Sequence, residues 1–421
     1  MKNERIKKPE LLCPAGNLET LKTAVNYGAD AVYIGGQKFG LRAMADNFSL
    51  EDMSAAADYA HAHGAKLHVT VNIFAHNGDI EGIRAYFEEL KSAGLEEKID
   101  AFIISDPGVF TMAREILPGV EVHISTQANN TNYMTYKFWH DMGAKRVVAA
   151  RELSLAELAD IRAKAPADME IEAFIHGAMC ISYSGRCLLS SYFTGRDANK
   201  GACTHPCRWK YALVEENRPG EYLPVEEDDR GTYIMNSKDL CMIDHIPELV
   251  AAGVDSFKIE GRMKTALYVA TVARTYRRAI DDYFASEETY RANIPDYLRE
   301  IGMCTNRKFT TGFYFGKPDA EAHIYDASTY VSGATYIGTV EEILSDGALV
   351  FHQKNKFTVG EQLTCMNFDG TNGTVTVEGI RDFDTDKPQE SAPHAKQKIK
   401  VYVDGGEQVK VGMLLRREEG E

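Results

Sequence analysis

Four of the chain's eight cysteines, Cys180, Cys187, Cys203 and Cys207, fall within 28 of its 421 residues. They lie in the segment HGAMCISYSGRCLLSSYFTGRDANKGACTHPCRWKY (176–211), with the spacing C-x6-C-x15-C-x3-C. Four thiolates converging on one point are what a cubane iron–sulfur cluster requires, one for each iron. Tetrahedral zinc requires the same four, but structural zinc sites usually use tight C-x2-C pairs. The looser spacing here favours iron–sulfur. Four unrelated buried thiols are the bland alternative, since free cysteine is often buried, and the clustering argues against it. Arg186 and Arg208 each adjoin a cysteine and can balance negative charge. Cys241, in NSKDLCMIDH, is an alternative to Cys207 as fourth ligand, disfavoured because it sits farther along in an apolar helical pattern. Cys13, Cys304 and Cys365 are isolated and read as core thiols.

A second set of polar residues closes a series of short apolar runs: Asn17, Asn72, Asp106, Ser125, Gln127, Arg151, His176, Glu260 and Arg262. Core packing does not require them. Gathered around one mouth, such donors and acceptors make a site for an anionic metabolite. Arg151 and Arg262 suit bidentate pairing with carboxylates. His176 and Glu260 are the candidates for catalytic roles. For any one of these residues a helix cap or a solvated side chain explains the choice equally well; the set carries more weight than its members. A Cys180–His176 protease pair is a competing reading, but it leaves three clustered cysteines unused. No HExxH, GxSxG or glycine-rich phosphate loop is present, and Gly35-Gly36 is only a weak turn signal.

The elements that must position these groups follow from the pattern. Eight β-rich runs, at 10–16, 31–36, 66–72, 101–106, 121–126, 146–151, 170–176 and 256–261, alternate with amphipathic helical stretches. Each run is apolar enough to be covered on both faces. Gly28, Gly64, Gly94, Gly143 and Gly253 close the helices between them. Eight such units predict a (β/α)8 TIM-like barrel rather than an open sheet. The domain at 1–303 carries a cysteine-rich insertion at 177–232, leaving from the C-terminal end of strand 7, where barrel enzymes build their sites. A linker at 304–331 leads to a small all-β, β-barrel-like domain at 332–421. Within that domain 381–396 reads as a mobile loop. The helical stretch Thr265–Phe284 clusters Arg274, Arg277 and Arg278 on about a turn and a half.

Composition limits the partners. With 47 basic and 62 acidic residues the net charge is −15, so the overall field does not hold nucleic acid, and RNA contact needs a local basic patch. No run of about 18 apolar residues indicates a membrane span. The start, MKNERIKKPELLCPAG, lacks an apolar secretory core. A cytoplasmic, reducing setting is expected, where disulfides are rare.

At these residues the chain resembles peptidase family U32, the collagenase-like proteases. The matching stretches are ELLCPAGNLETLKTAVNYGADAVYIG (10–35), STQANNTN (125–132), the cysteine segment 176–209, NSKDL (236–240), SFKIEGRMK (256–264) and TTGFYFG (310–316). The tail resembles the family's C-terminal β-domain. The resemblance implies three possible activities. One is oxygen-independent hydroxylation of the tRNA wobble uridine to 5-hydroxyuridine, with prephenate as co-substrate. A second is peptidase activity on collagen-like chains. The third is a non-catalytic iron–sulfur partner that needs a second subunit of the family. It also implies a 4Fe-4S cluster on Cys180, Cys187, Cys203 and Cys207. Because a sister branch places its fourth cysteine farther downstream, Cys207 is the ligand that Cys241 would replace. Substrate binding by Asn17, Asn72, Ser125, Gln127, Arg151 and Arg262, with tRNA and a small carboxylate as partners, completes the expectation. RNA would approach along Arg274–Arg278 and the C-terminal β-domain.

Overall fold

The computed structural model describes residues 7–40, 47–180, 182–209, 212–213, 223–224, 236–318, 323–324 and 330–419. Much of the later insertion, after 209, lies outside them. Two compact units emerge. One comprises 1–21, 30–264 and 307–330, and the other 22–29, 265–306 and 331–421. This grouping differs from the boundary read at 303 by placing the helical stretch after Thr265 with the C-terminal strands.

In the first unit β1 (Glu10–Pro14), β2 (Ala31–Gly35), β3 (Lys66–Val71), β4 (Ala101–Ile104), β5 (Glu121–Ile124), β6 (Arg146–Val148) and β7 (Glu170–Ala178) pair in parallel in chain order. After β8 (Asp239–Cys241), β9 (Ser256–Ile259) pairs in parallel with both β7 and β1. The eight parallel strands therefore close into the expected barrel. The reason is visible in burial: β2 is covered along its whole length, and the interior-facing Leu12, Tyr33 and Ile103 meet inside. Helices α1 (Leu18–Asn26), α2 (Leu50–Ala62), α3 (Ile80–Ser92), α4 (Pro107–Ile116), α5 (Tyr133–Asp141) and α6 (Leu155–Lys164) alternate with β1 to β7. Local sequence starts them sharply. Ser49 with Asp52, and Ser154 with Glu157, form capping boxes, while Asp106 and Asn132 accept from the first-turn amides of α4 and α5.

Where the strands begin, the barrel interior is polar. Buried Arg146 bonds to Glu10 at 2.5 Å, Glu170 at 2.7 Å and Glu172 at 3.0 Å, and Lys258 bonds to Glu172 at 2.6 Å. Burial by itself would raise the carboxyl of Glu172, but Lys258 and Arg146 outweigh it and hold the group down at about 2. Glu10 is likewise driven well below the carboxylate range by Arg146 against burial. His68 and His123 meet edge-on at 4.8 Å beside this cluster, and burial keeps both neutral down to about 3.

β7 is longer than its neighbours and runs past the barrel. Its last residues, His176–Ala178, pair antiparallel with β8, and β8 pairs in parallel with β10 (Phe309–Thr310). Two expectations change here. Cys241 lies in a strand, not a helix, because the protruding edge of β7 supplies a hydrogen-bonding partner that the local apolar period cannot reveal. The segment read as a linker contributes β10 to the same sheet.

In the second unit, strands Ala334–Thr339, Leu414–Glu418, Gln362–Met366, Asn372–Asp382, Lys398–Asp404 and Leu349–His352 follow one another in an antiparallel sheet. Their shared core includes Ile337, Phe351, Leu363, Val375, Val401 and Leu415. The stretch 381–396 is more ordered than a loop: Pro388–Gln389 pairs with Ile380–Arg381. Helices α9 (Ala266–Ala285) and α10 (Glu287–Gly302) belong to this unit. Their arginines do not form the basic track expected for RNA. Arg274 is buried and bonded to Glu300, Arg277 pairs with Asp281 at 2.7 Å, and Arg278 lies 3.7 Å from Asp282. Arg277 and Arg278 face acids at i,i+4 on their own helix, and Arg274 is met by Glu300 of the next.

Candidate functional site

The C-terminal ends of the barrel strands surround a cavity of about 60 Å³. Of the residues expected at this mouth, Asn72, Ser125, Gln127, Arg151, Glu260 and Arg262 line it. Asn17 instead caps α1, its side chain accepting from Thr20 N at 2.9 Å. Asp106 caps α4, accepting from Gly108 N at 2.8 Å. His176 is fully buried against Phe309, and burial holds its imidazole neutral down to about 3. It does not line the cavity.

Arg262 is the deepest cation. It is buried, and it donates to Thr70 Oγ1 at 2.8 Å and to Asn47 Oδ1 at 2.9 Å. Its planar head passes over Gly35, where a Cβ would lie 2.2 Å from Nη2. Of the glycine pair that looked like a weak turn signal, Gly35 thus makes room for the guanidinium, and Gly36 for the Tyr86 hydroxyl. Arg151 stands at the opposite side of the chemistry. It donates to Ala178 O at 2.9 Å and Ser184 Oγ at 3.1 Å, reaches Cys180 Sγ at 3.5 Å, and lies 5.0 Å over the Phe174 ring. Ser125 Oγ accepts from Asn72 Nδ2 at 3.4 Å and from Gln127 N at 3.3 Å. Glu260 is within 3.4 Å of the Tyr33 hydroxyl, which donates to Ile259 O at 2.9 Å.

Lys258, Tyr33 and Thr70 also line the cavity and were missed by the sequence reading. A signal for one of them existed. In SFKIEG, Lys258 and Glu260 are two residues apart, so a strand places both on one face while Phe257 and Ile259 take the other. Two arginines, Arg151 and Arg262, face this small space against one lining carboxylate, Glu260, while the charge of Lys258 is taken up by Glu172. The field inside favours an anion.

The four clustered cysteines start beside this mouth. Cys180 follows β7 by two residues, and the turn after it is fastened to the barrel: Asn129 Nδ2 donates to Ser184 O at 3.0 Å. Gly185, at φ +73°, brings its backbone onto Gln127, where a Cβ would come 2.3 Å from Oε1. Gly185→Ala is therefore expected to cost about 1–2 kcal/mol for the left-handed conformation alone and to displace Gln127. A lowered melting temperature with faster tryptic cleavage at Arg186 checks this. Farther on come α7 (Leu189–Thr194) and two short turns, with Asn199 Nδ2 donating to Cys187 O at 3.2 Å and Phe74 N to Asn199 O at 3.0 Å.

Burial pushes the Cys207 thiol up to about 11; nearby Arg208 opposes this, and Cys180, Cys203 and Cys187 add to it by repulsion. His205 N–H already points at Cys203 Sγ at 3.4 Å. Among the described residues no three Cys, His, Asp or Glu side chains stand at the distances that hold a single metal ion. Cys241, Cys13, Cys304 and Cys365 are all buried elsewhere.

Comparison with known proteins agrees with this architecture. Residues 16–324 match the family described as Peptidase family U32, and residues 333–416 match the Peptidase family U32 C-terminal domain. The chain is 42% identical over 399 residues to the tRNA hydroxylation protein P1 of Bacillus subtilis, covering 94% of this chain and 92% of that protein. It is 39% identical over 403 residues to the tRNA hydroxylation protein P of Escherichia coli, covering 86% and 87%. An uncharacterized protease of Methanocaldococcus jannaschii is 43% identical over 309 residues, covering 73% of each chain.

Proposed function

The chain belongs to peptidase family U32, and from that membership we propose that it is an RNA-modifying enzyme that hydroxylates tRNA. The finer reading is conversion of the wobble uridine to 5-hydroxyuridine, with prephenate as co-substrate. The observation that carries it is the bridge made by Arg151, which lines the anion-favouring cavity and touches Cys180, the first of the clustered thiols. If the clustered thiols hold a redox centre, it and the small-anion site are neighbours, an arrangement that peptide hydrolysis does not call for. The relatives named for tRNA hydroxylation cover nearly the whole chain and support the same class.

In this reading Cys180, Cys187, Cys203 and Cys207 hold a 4Fe-4S cluster, which supplies electron-transfer chemistry when bound. Arg262 and Arg151 bind and orient the carboxylates of the co-substrate. Lys258, held by Glu172, lines the floor, while Asn72 and Ser125 fix the orientation by hydrogen bonds. Glu260, with the Tyr33 hydroxyl beside it, is placed to accept a proton at the cavity wall. A peptidase working through Cys180 and His176 finds less support, since His176 is buried against Phe309 away from the cavity.

The direct test is mass spectrometry of nucleosides from tRNA of a deletion strain, with and without the restored gene. Loss of 5-hydroxyuridine-type nucleosides and their recovery are expected; unchanged tRNA in the deletion strain overturns the reading. A second expected result concerns the arginines. Arg262→Ala weakens prephenate binding by about 2 kcal/mol, roughly 30-fold, and Arg262→Lys restores only part because a single ammonium cannot reproduce the fork. Calorimetric titration of the folded variants measures both.

A further inference from the structure

We propose that the outer face of the cysteine insertion is the RNA-docking surface, and that it takes a single-stranded loop by stacking bases on exposed aromatic rings. The inference rests on the tRNA reading above and names the surface that reading leaves open once Arg274, Arg277 and Arg278 are found in local ion pairs.

Exposed apolar side chains that form a contiguous patch mark interaction sites, whereas single ones do not. Tyr192 is 83% exposed, and Phe193 and Trp209 are exposed as well. Their rings form a continuous series, Tyr192 to Phe193 at 5.2 Å and Phe193 to Trp209 at 6.1 Å. This series flanks the cluster ligands directly, because α7 follows Cys187 and Trp209 follows Cys207 by two residues. Charge marks out the first part of the insertion, the remainder at 210–232 carrying three basic and seven acidic residues. From 177 to 209 the chain carries four basic residues, Arg186, Arg196, Lys200 and Arg208, and one acid, Asp197, within a protein of net charge −15. Arg186 and Arg196 are exposed, and among the described residues neither has a carboxylate partner.

Open rings interleaved with unneutralised guanidinium groups fit unstacked bases on a phosphate backbone. A duplex offers no free base faces to such a surface. An acidic protein partner would use the arginines but leave the ring series without a counterpart. Single-stranded RNA uses both, and docking it here brings it to the rim of the mouth cavity.

The test uses the full chain, purified with its metal, and a fluorescein-labelled RNA hairpin with a uridine-containing loop. The fully paired duplex of the same composition is the control. The hairpin is expected to bind more tightly than the duplex and to quench the emission of Trp209, the exposed one of two tryptophans, the other being buried Trp139. Tyr192→Ala and Trp209→Ala should each weaken hairpin binding by about tenfold or more, whereas Trp209→Phe retains most of it. Arg186→Ala and Arg196→Ala should each lower the salt dependence of binding by about 0.7 in log–log slope. Iron content and melting temperature equal to the unaltered protein establish that each variant is folded. Unchanged hairpin affinity in a folded Tyr192→Ala/Trp209→Ala double variant overturns the proposal, as does equal binding of hairpin and duplex. Hairpin binding that depends on these rings, in a protein whose deletion leaves tRNA unaltered, sustains the surface and overturns the hydroxylation reading alone.

Discussion

Alanine at any one of Cys180, Cys187, Cys203 or Cys207 is expected to abolish tRNA hydroxylation and bleach the anaerobically purified protein, which should otherwise be brown with about four irons per chain. The four variants should be equally inactive, because thiolates around one cluster act as a unit. The geometry sharpens this expectation. The Cys207 thiol experiences Cys180, Cys187 and Cys203 together, so removing any of these three alters the field on Cys207. Cys241→Ala, Cys13→Ala, Cys304→Ala and Cys365→Ala should keep both colour and modification, since those thiols are buried apart from the insertion. Iron analysis and the visible spectrum are read alongside tRNA nucleosides and peptide release from gelatin. One indispensable cysteine with three dispensable ones is the pattern of a protease nucleophile, and with gelatin cleavage lost in that variant alone it would overturn the cluster reading. Colourless protein with one zinc per chain would do the same.

The second large effect is on stability. Arg146→Ala strips the shared cation from Glu10, Glu170 and Glu172, of which Glu172 is fully buried. Breaking a buried ion pair from one side costs about 3–5 kcal/mol, enough to unfold many domains outright. Urea unfolding at pH 7 measures it. The pH dependence gives an independent check. In the folded protein Glu172 titrates at about 2 and Glu10 also lies below its ordinary range, whereas the unfolded chain regains about 4.3. Their contribution is complete above that value and is lost as pH falls towards 2. His68 and His123 act with the same sign. Folded, they stay neutral to about 3; unfolded, they take up protons from about pH 6.5 downward, so acid again favours the unfolded chain. The unaltered protein should therefore lose stability steadily below about pH 6.5. In Arg146→Ala the carboxylates are no longer held down, and protonation relieves them. The deficit relative to the unaltered protein should shrink between pH 7 and pH 4; a constant deficit would exclude the network as its cause.

Much of this architecture could be read from residue order. Eight doubly covered apolar runs and glycine-closed helices specify the barrel because burial on both faces leaves a strand few alternatives. The cysteine spacing marked the insertion for a similar reason: four soft ligands in so short a span have few structural uses. Six of the polar strand ends line the mouth, but Asn17 and Asp106 turned out to be caps, since the same side-chain oxygen that greets a ligand also greets a helix amide. His176 failed differently. Its position depends on β7 outrunning the barrel and on β10 arriving from far along the chain, a pairing with no local signature. Lys258 was hidden by convention: lysine in an apolar run is usually taken for a surface residue, and only its partner Glu172, 86 positions earlier, explains it.

The seam of the barrel bears on the order of events during synthesis. Glu10 pairs with Ser256, 246 residues away, so the barrel stays open until β9 has left the ribosome. All four clustered cysteines emerge before that; Cys207 precedes Ser256 by 49 residues, about 2–10 s of translation. Lys258, the counterion of Glu172, arrives only with the closing strand. A nascent chain therefore presents its clustered cysteines on a scaffold that cannot yet shut. Closure of the last strand then seals the polar floor and builds the wall of Lys258, Glu260 and Arg262 beneath them. Exposure of the four thiols and closure of the barrel are therefore separate in time, the second set by a single long-range strand pairing.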